Sequence, residues 1–582
     1  MNSKAYTTLS RAMPVIAILF IAAGFIRLRF GVSFSDEGYW FSAPYRYLHG
    51  DMPFKDEWLS APRWFDIIIW QIMRLLPDGG SVLVIRHINF AFHSIALGLF
   101  CFSLRKLLPA SILISCFTAS IFADVRSFWS PSYNSLFLDF TLLSAAFFFL
   151  SLFSNKPLSR ALCGLISGFV FFLAGISYFP SFALTVIPIF LVAFSLSRKS
   201  EFMLNAQTVA FFIAGVAASC AATYVLLQNN GLLVHFFSAF SMLLNDAYGE
   251  TLSMGERLFN ISAVVSKTLP IMLLFLIGTY LFKTAIASKR SFLILASIIF
   301  PPLVFALASL PSAIIAFVVS VSIIYLFSRA KLMANGRRKE QAVFMLVAWG
   351  CSWFAVSGIA SNNVNLWTPT LIFPFFIISA AIIAHTAISN ALDERADAGS
   401  FKKASSFIVA SLLLISIVVT GKTFRSAPTE GSVFNLRTKF AYGKLSCIYS
   451  SEKRVEYLEE LLDYLDGRVG KGDRLLAFKR FSMLNYITDT ISPLNTSYIA
   501  EDIPVEMYDK TIKIMIKERR EPEYAVRVLN FPNYLGGEKN PELLPYSTDP
   551  AIDPLFSYVH QNYTLEKTIG PYEVWRKNQF IR

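Results

Sequence analysis

Charge is what this sequence has least of. Asp, Glu, Lys and Arg make up 16% of its 582 residues, where a soluble surface draws on about a quarter. The shortage excludes a string of soluble domains, and the apolar content excludes a disordered or collagen-like chain. Cysteine is sparse as well. Five of the six (Cys101, Cys116, Cys163, Cys220, Cys351) fall in apolar stretches and Cys447 stands alone near the C-terminal part, which excludes a disulfide framework and a cysteine-based zinc motif. His49, His93, His235, His385 and His560 lack ligand-like spacing and read as interface or packing residues. There is no internal repeat and no Gly-rich phosphate loop.

What the chain has instead is apolar. Hydrophobic residues make up 55%, with 56 Phe, and the mean hydropathy is +0.53. This is the composition of an integral membrane protein, and the Phe excess reads as lipid-facing bulk. The net charge of +13 does not point to nucleic acid. Residues 1–420 carry 29 Lys and Arg against 17 Asp and Glu, whereas residues 421–582 carry 23 against 22. The basic excess belongs to the membrane part, where inside loops collect it.

Thirteen apolar runs are long enough to span a bilayer as helices. They cover about 12–29, 81–104, 107–124, 133–154, 161–178, 179–197, 205–228, 264–284, 290–309, 311–328, 341–360, 367–388 and 404–421. The first runs into Arg27 and Arg29 without a small-residue cleavage site and reads as an uncleaved signal anchor. The run Trp64–Leu76 is too short to span and carries Asp66 and Arg74 on one helical face, so it reads as an interfacial helix. With the N-terminus in the cytoplasm, Arg105-Lys106, Arg198-Lys199, Arg337-Arg338-Lys339 and Lys402-Lys403 all fall in inside loops. An odd number of spans then puts the tail outside, in the periplasm of an inner-membrane protein.

The fold expected is therefore a membrane all-α domain over 1–421 and a periplasmic α/β domain over 422–582. In the tail, Val455, Leu458, Leu461, Leu462 and Leu465 have helical spacing. Arg474–Phe478, Tyr524–Val528 and Tyr572–Trp575 read as short strands. Near-neutral charge suggests a tail that folds alone and is not catalytic.

The chemistry concentrates in the first long outside loop, residues 30–80. It carries Asp36-Glu37, then Asp51, then Asp56-Glu57, then Pro62-Arg63. Carboxylates just beyond a membrane surface suit deprotonation of a hydroxyl or capture of a divalent cation; solvated loop acids are the bland reading. Asp139, about six residues into the fourth run, reads as an intramembrane acid paired with Arg86 or His87. A second long loop, 229–263, carries aromatic and acidic residues (Phe236, Phe237, Asp246, Tyr248, Glu250) and reads as a cover for the site. The turn Asn362-Asn363-Val364-Asn365 reads as a capped loop.

At these residues the sequence resembles the GT-C superfamily of integral membrane glycosyltransferases, in particular the branch near protein O-mannosyltransferases and aminoarabinose transferases. Asp36-Glu37 after the first span, Gly50 to Asp56, Pro62, the interfacial Trp64–Leu76 and Arg86 match its layout, as does Ser132-Tyr133-Asn134. Ser60-Ala61 precede Pro62 where some members carry a charge, and the Asp-x-Asp of oligosaccharyltransferases is absent. The resemblance implies inverting transfer of a sugar from a polyprenyl-phosphate donor to an envelope glycan, lipid or protein acceptor. It implies Asp36 as base, with Glu37 and Asp56 as orienting groups or metal ligands, so a divalent metal remains open. Arg63, Arg86, Arg126, Arg257 and Lys267 are the candidate donor-phosphate ligands, and Tyr39, Tyr133 and Asn134 the sugar or acceptor contacts. A lipid-linked-sugar transporter or flippase, an O-antigen-type polymerase and a non-catalytic envelope partner remain rival readings.

Overall fold

The computed structural model describes residues 3–122, 130–189, 199–242, 270–271, 273, 301–303, 305, 310–334, 337–360, 371–393, 398–425, 430–478, 480–499, 505–529 and 553–578. Its first part is helical. Helix α1 (Ser3–Arg27) is followed by α2 (Asp36–Tyr47) and α3 (Phe65–Met73) in the first long loop, then by α4 (Val82–Ser103), α5 (Ala110–Ser120), α6 (Tyr133–Leu152) and α7 (Pro157–Ser177). Longer helices follow at Lys199–Asn229, Leu310–Ala334, Arg337–Ala360, Phe373–Asp393 and Ala398–Arg425.

Six helices among the described residues are long and apolar enough to cross a membrane: Thr7–Arg27, Val82–Ser103, Tyr133–Leu152, Pro157–Ser177, Asn205–Asn229 and Ser405–Arg425. They coincide with six of the thirteen predicted runs. Shorter apolar helices at Ala110–Ser120, Ala313–Tyr325 and Phe373–Thr386 overlap three more, and the 24-residue helix Arg337–Ala360 covers the run at 341–360. The run at 179–197 opens as a 3-10 helix, Phe179–Thr185, and those at 264–284 and 290–309 lie almost wholly outside the described residues.

Two packing chemistries hold the helices. Where α7 crosses Lys199–Asn229, the backbones meet: a Cβ on Gly168 would lie 2.0 Å from the Phe212 carbonyl, and one on Gly215 2.2 Å from that of Leu165. Small residues permit this approach, and lipid offers no competing hydrophobic force. The second chemistry is aromatic. Phe137 stacks on Trp353 with centroids 3.9 Å apart, and Phe100, Phe148, Phe149, Phe171, Phe212 and Phe375 are buried. The expectation of lipid-facing Phe is thus corrected for these residues: α4, α6 and α7 bury ring against ring.

The tail carries a four-stranded sheet, in the order β3 (Leu475–Phe478), β4 (Tyr524–Val528), β6 (Tyr572–Lys577), β5 (Tyr563–Ile569). The β3–β4 pair is parallel and the others antiparallel. The helix Glu452–Leu465 buries Val455, Leu458, Leu461, Leu462 and Leu465, the face read from their spacing. The α/β tail stands as expected, with three helices (Met483–Ile487, Val505–Lys517, Pro554–Asn562) and edge strand β5 in addition.

The tail does not stand apart from loop 30–80. A two-stranded ribbon, β1 (Thr438–Lys439) with β2 (Tyr449–Ser450), joins the chain leaving α1: the Gly31 amide donates to the Tyr449 carbonyl at 2.9 Å, and the Tyr449 amide to that of Arg29 at 2.6 Å. The segment 482–499 lies directly on α2. There the Met483 amide donates to the Phe34 carbonyl at 3.0 Å, and a Cβ on Gly38 would lie 2.3 Å from the Met483 nitrogen.

Candidate functional site

Loop 30–80 carries seven carboxylates, and their partners divide them sharply. Glu37, fully buried, is held by Arg86: Nε donates to Oε1 and Nη2 to Oε2, both at 2.7 Å. Ser130 donates to the same Oε1, and the Ser33 amide to Oε2 at 3.1 Å. Arg86 also donates to the carbonyls of Leu28 at 2.6 Å and Gly31 at 2.8 Å. The sequence reading of Arg86 as a phosphate ligand therefore meets a buried guanidinium already committed to a carboxylate and two carbonyls. Its geometry is that of a brace for the turn preceding α2.

Asp51 accepts from Arg46 Nε at 2.7 Å and from Arg474 at 2.8 and 3.1 Å. Burial alone would raise its carboxyl, but the two guanidinium groups pull it down to about 2. Asp56 accepts the Met52 amide at 2.7 Å and pairs with Arg520 at 2.6 Å. Glu57, fully buried, accepts the Ser497 amide at 2.6 Å and Arg46 at 3.2 Å, both through Oε2. Burial pushes its carboxyl up, and Arg46 offsets only part of that. Arg46 itself crosses to the tail, donating to the carbonyls of Ser492 at 3.3 Å and Leu494 at 2.9 Å.

Asp66 lies in the first turn of α3 and is fully buried. It accepts from the Tyr47 hydroxyl at 2.7 Å and from Ser60. With no cation beside it, burial pushes it up to about 7 against those hydrogen bonds. Arg74, expected on the same face, is exposed instead; the helix turns its acid inward because Tyr47 and Ser60 can satisfy it. Asp78, exposed, pairs with Lys471 at 2.8 Å.

Asp36 differs from these six. It is the first residue of α2, half-buried, and among the described residues it has no hydrogen-bond or ion-pair partner. Its place in the first helical turn puts it beside the free N–H groups of α2. The adjacent Glu37–Arg86 pair fixes the backbone from which it projects.

The remaining candidates fall into three groups. Tyr39, Arg63 and Tyr133 come together: the Arg63 guanidinium lies 4.3 Å over the Tyr133 ring, and Phe65 bridges the Tyr39 and Tyr133 rings at 5.5 and 6.1 Å. Asn134, in the first turn of α6, is buried with neither amide atom hydrogen-bonded among the described residues. Arg126, Arg257 and Lys267 lie outside the described residues, as do Asp246, Tyr248, Glu250 and the turn 362–365. Of loop 229–263, the helix Leu232–Met242 does reach loop 30–80, where Phe236 packs edge-on to Phe54 and Trp64 at 5.4 and 5.5 Å.

One expectation is corrected here. Asp139 pairs with His93, Nδ1 to Oδ1 at 2.6 Å, rather than with Arg86 or His87: His93 lies two turns further along α4, at the level of the acid, while Arg86 is committed to Glu37. No three His, Cys, Asp or Glu side chains among the described residues converge as metal ligands. Asp36, Glu37 and Asp56 in particular do not form such a set, since Arg86 and Arg520 have taken two of them.

No protein-family model matches the sequence, and no curated protein matches it significantly. Solved structures are similar to it over most of its length. ArnT from Cupriavidus metallidurans bound to undecaprenyl phosphate is similar over 97% of this chain and 98% of its own, at 11% identity and a TM-score of 0.44. The Archaeoglobus fulgidus oligosaccharyltransferase, in complex with Zn and sulfate, is similar over 88% of this chain and 68% of its own, at 10% identity and a TM-score of 0.47.

Proposed function

We propose that the chain is an integral-membrane glycosyltransferase of the GT-C type. It moves a sugar from a polyprenyl-phosphate donor to an envelope glycan, lipid or protein acceptor on the outer face of the inner membrane. The observation that carries this reading is Asp36. Loop 30–80 neutralises or hydrogen-bonds six of its seven carboxylates and leaves one, at a helix N-terminus beside the end of the first membrane helix, half-exposed and unpartnered among the described residues. A structural acid is paired; a general base has to meet its substrate.

In this reading the acceptor hydroxyl oxygen attacks the anomeric carbon as the bond from that carbon to the phosphate oxygen breaks. The hydroxyl proton passes to Asp36, the polyprenyl phosphate leaves, and the configuration inverts. Such assistance contributes about 10²–10⁴-fold in rate. Glu37 and Arg86 position the base. Arg63, which lies over the Tyr133 ring, is the described cation we assign to the leaving phosphate, with Arg126, Arg257 and Lys267 as further outside cations. Asp56 serves the same scaffold as Glu37, through Arg520.

The test is Asp36→Asn in the full-length protein, assayed for release of free polyprenyl phosphate from sugar-bearing donors in the presence of envelope extract. Transfer should fall by at least about 10²-fold with donor binding retained. Normal transfer by a folded Asp36→Asn protein would sink the reading.

A further inference from the structure

Several buried polar atoms of loop 30–80 have no hydrogen-bond partner among the described residues, the Tyr39 hydroxyl and Glu57 Oε1 among them. Both residues are fully enclosed, Tyr39 at 4% and Glu57 at 0% exposure. Burying a hydroxyl or carboxyl oxygen unpaired is costly, and folded proteins do so rarely. That these two occur in one place asks for an explanation.

Their surroundings supply one. Tyr39 lies three residues after Asp36 on α2, a spacing that puts both on one helix face. Its ring packs edge-on to Phe65 and Tyr498, each at 5.5 Å. Glu57 reaches the same tail segment, taking the Ser497 amide on Oε2 at 2.6 Å and leaving Oε1 over. Phe65 leads on to the Tyr133 ring at 6.1 Å, with Arg63 above it at 4.3 Å. The Tyr39 hydroxyl lies in the field of Glu57 and Asp66, which raise its pKa together with burial, and of Arg63, which lowers it. So a hydroxyl and a carboxyl, unsatisfied, sit among aromatic rings and a guanidinium one turn from the free acid.

We infer that Tyr39 and Glu57 form a hydroxyl-recognition subsite for the sugar ring presented to Asp36. The inference rests on the glycosyltransferase reading and deepens it. A pyranose offers adjacent hydroxyls to pair with the two orphaned atoms and an apolar C–H face to lie against Phe65, Tyr133 or Tyr498. Sites built this way reject analogues that lack the matching hydroxyl, because the protein's own groups are then left unpaired. The sugar belongs either to the donor or to the acceptor; the chemistry of recognition is shared.

Tyr39→Phe separates recognition from packing. It keeps the ring and removes the orphaned hydroxyl, so the unliganded protein should be as stable as the parent or more so. The full-length protein in nanodiscs would be titrated with undecaprenyl phosphate, with undecaprenyl phosphate carrying one glucose, galactose or mannose, and with the free methyl hexosides. For Tyr39→Phe, affinity for the bare lipid should be unchanged. Affinity for the preferred sugar-bearing lipid should fall about tenfold if the donor sugar occupies the subsite, or that for the methyl hexoside if the acceptor sugar does. Glu57→Gln should shift affinity for the same probe in the same direction. If the parent binds a sugar probe and both variants bind it equally well, the subsite is overturned while the glycosyltransferase reading stands. If the parent binds no sugar-bearing probe, both fall.

Discussion

Loop 30–80 has two sides that use the same residue types for opposite ends. On the tail-facing side, Asp51, Asp56 and Glu57 meet Arg46, Arg474, Arg520 and the Ser497 amide, all within 3.2 Å. At the start of α2, Asp36 meets no described partner, and Tyr39 leaves its hydroxyl without one among the described residues. The comparison separates holding from acting. Acids that hold the loop are answered by Arg, by Lys471 at Asp78 or by hydroxyls at Asp66; the acid assigned to chemistry is left half-buried and unanswered among the described residues beside a braced neighbour. The tail matters to the site in this sense, since three of the cations and amides that fix loop 30–80 come from it, more than 400 residues away in sequence.

The largest stability effect expected is at the brace. Arg86→Ala leaves Glu37 buried without its cation and should cost about 3–5 kcal/mol, seen as a steep loss of thermal midpoint or of folded yield. An unchanged midpoint would erase the distinction between a braced and a free acid. Arg520→Ala comes next. It leaves Asp56 with the Met52 amide and should cost about 1–3 kcal/mol, with transfer retained once the protein is folded.

A smaller effect concerns pH and compares two holding acids with each other. Asp66 is raised to about 7 from 3.8, so the native state holds its proton more tightly than the unfolded chain. Its contribution is fully present below about pH 4 and declines as pH rises towards 7. Asp51, lowered to about 2 from 3.8, acts the other way: its contribution is present above pH 4 and is lost as pH falls through 2. Asp66→Asn should therefore flatten the fall in thermal midpoint between pH 4 and 7, and Asp51→Asn should leave that window unaltered. A parental midpoint that does not fall there would remove the assignment.

Much of this was legible in the sequence where the signal is local. The face Val455, Leu458, Leu461, Leu462, Leu465 follows from helical spacing, and strands β3, β4 and β6 from short apolar runs. Strand β5 was not legible: it is an edge strand with mostly exposed residues and a register shift between Leu565 and Lys567, so no alternation survives. The position of Asp36 was readable, because it follows an apolar run directly. Its distinction from Glu37 and Asp56 was not, since that depends on Arg86 and Arg520 arriving from other parts of the fold. Arg46 and Glu57 were missed as organisers of the loop for the same reason. Asp139 was expected beside Arg86 or His87, but position along α4, rather than charge, selects His93.

The account's central claim is that one carboxylate in this loop acts while its neighbours hold, and a paired measurement on Asp36→Asn and Asp51→Asn tests it most directly. Sugar transfer and thermal midpoint are measured for both full-length proteins. Asp36→Asn should lose at least about 10²-fold of transfer at an unchanged midpoint, and Asp51→Asn should lower the midpoint while the folded fraction still transfers. The reverse pattern, an active Asp36→Asn beside a folded and inactive Asp51→Asn, would contradict it.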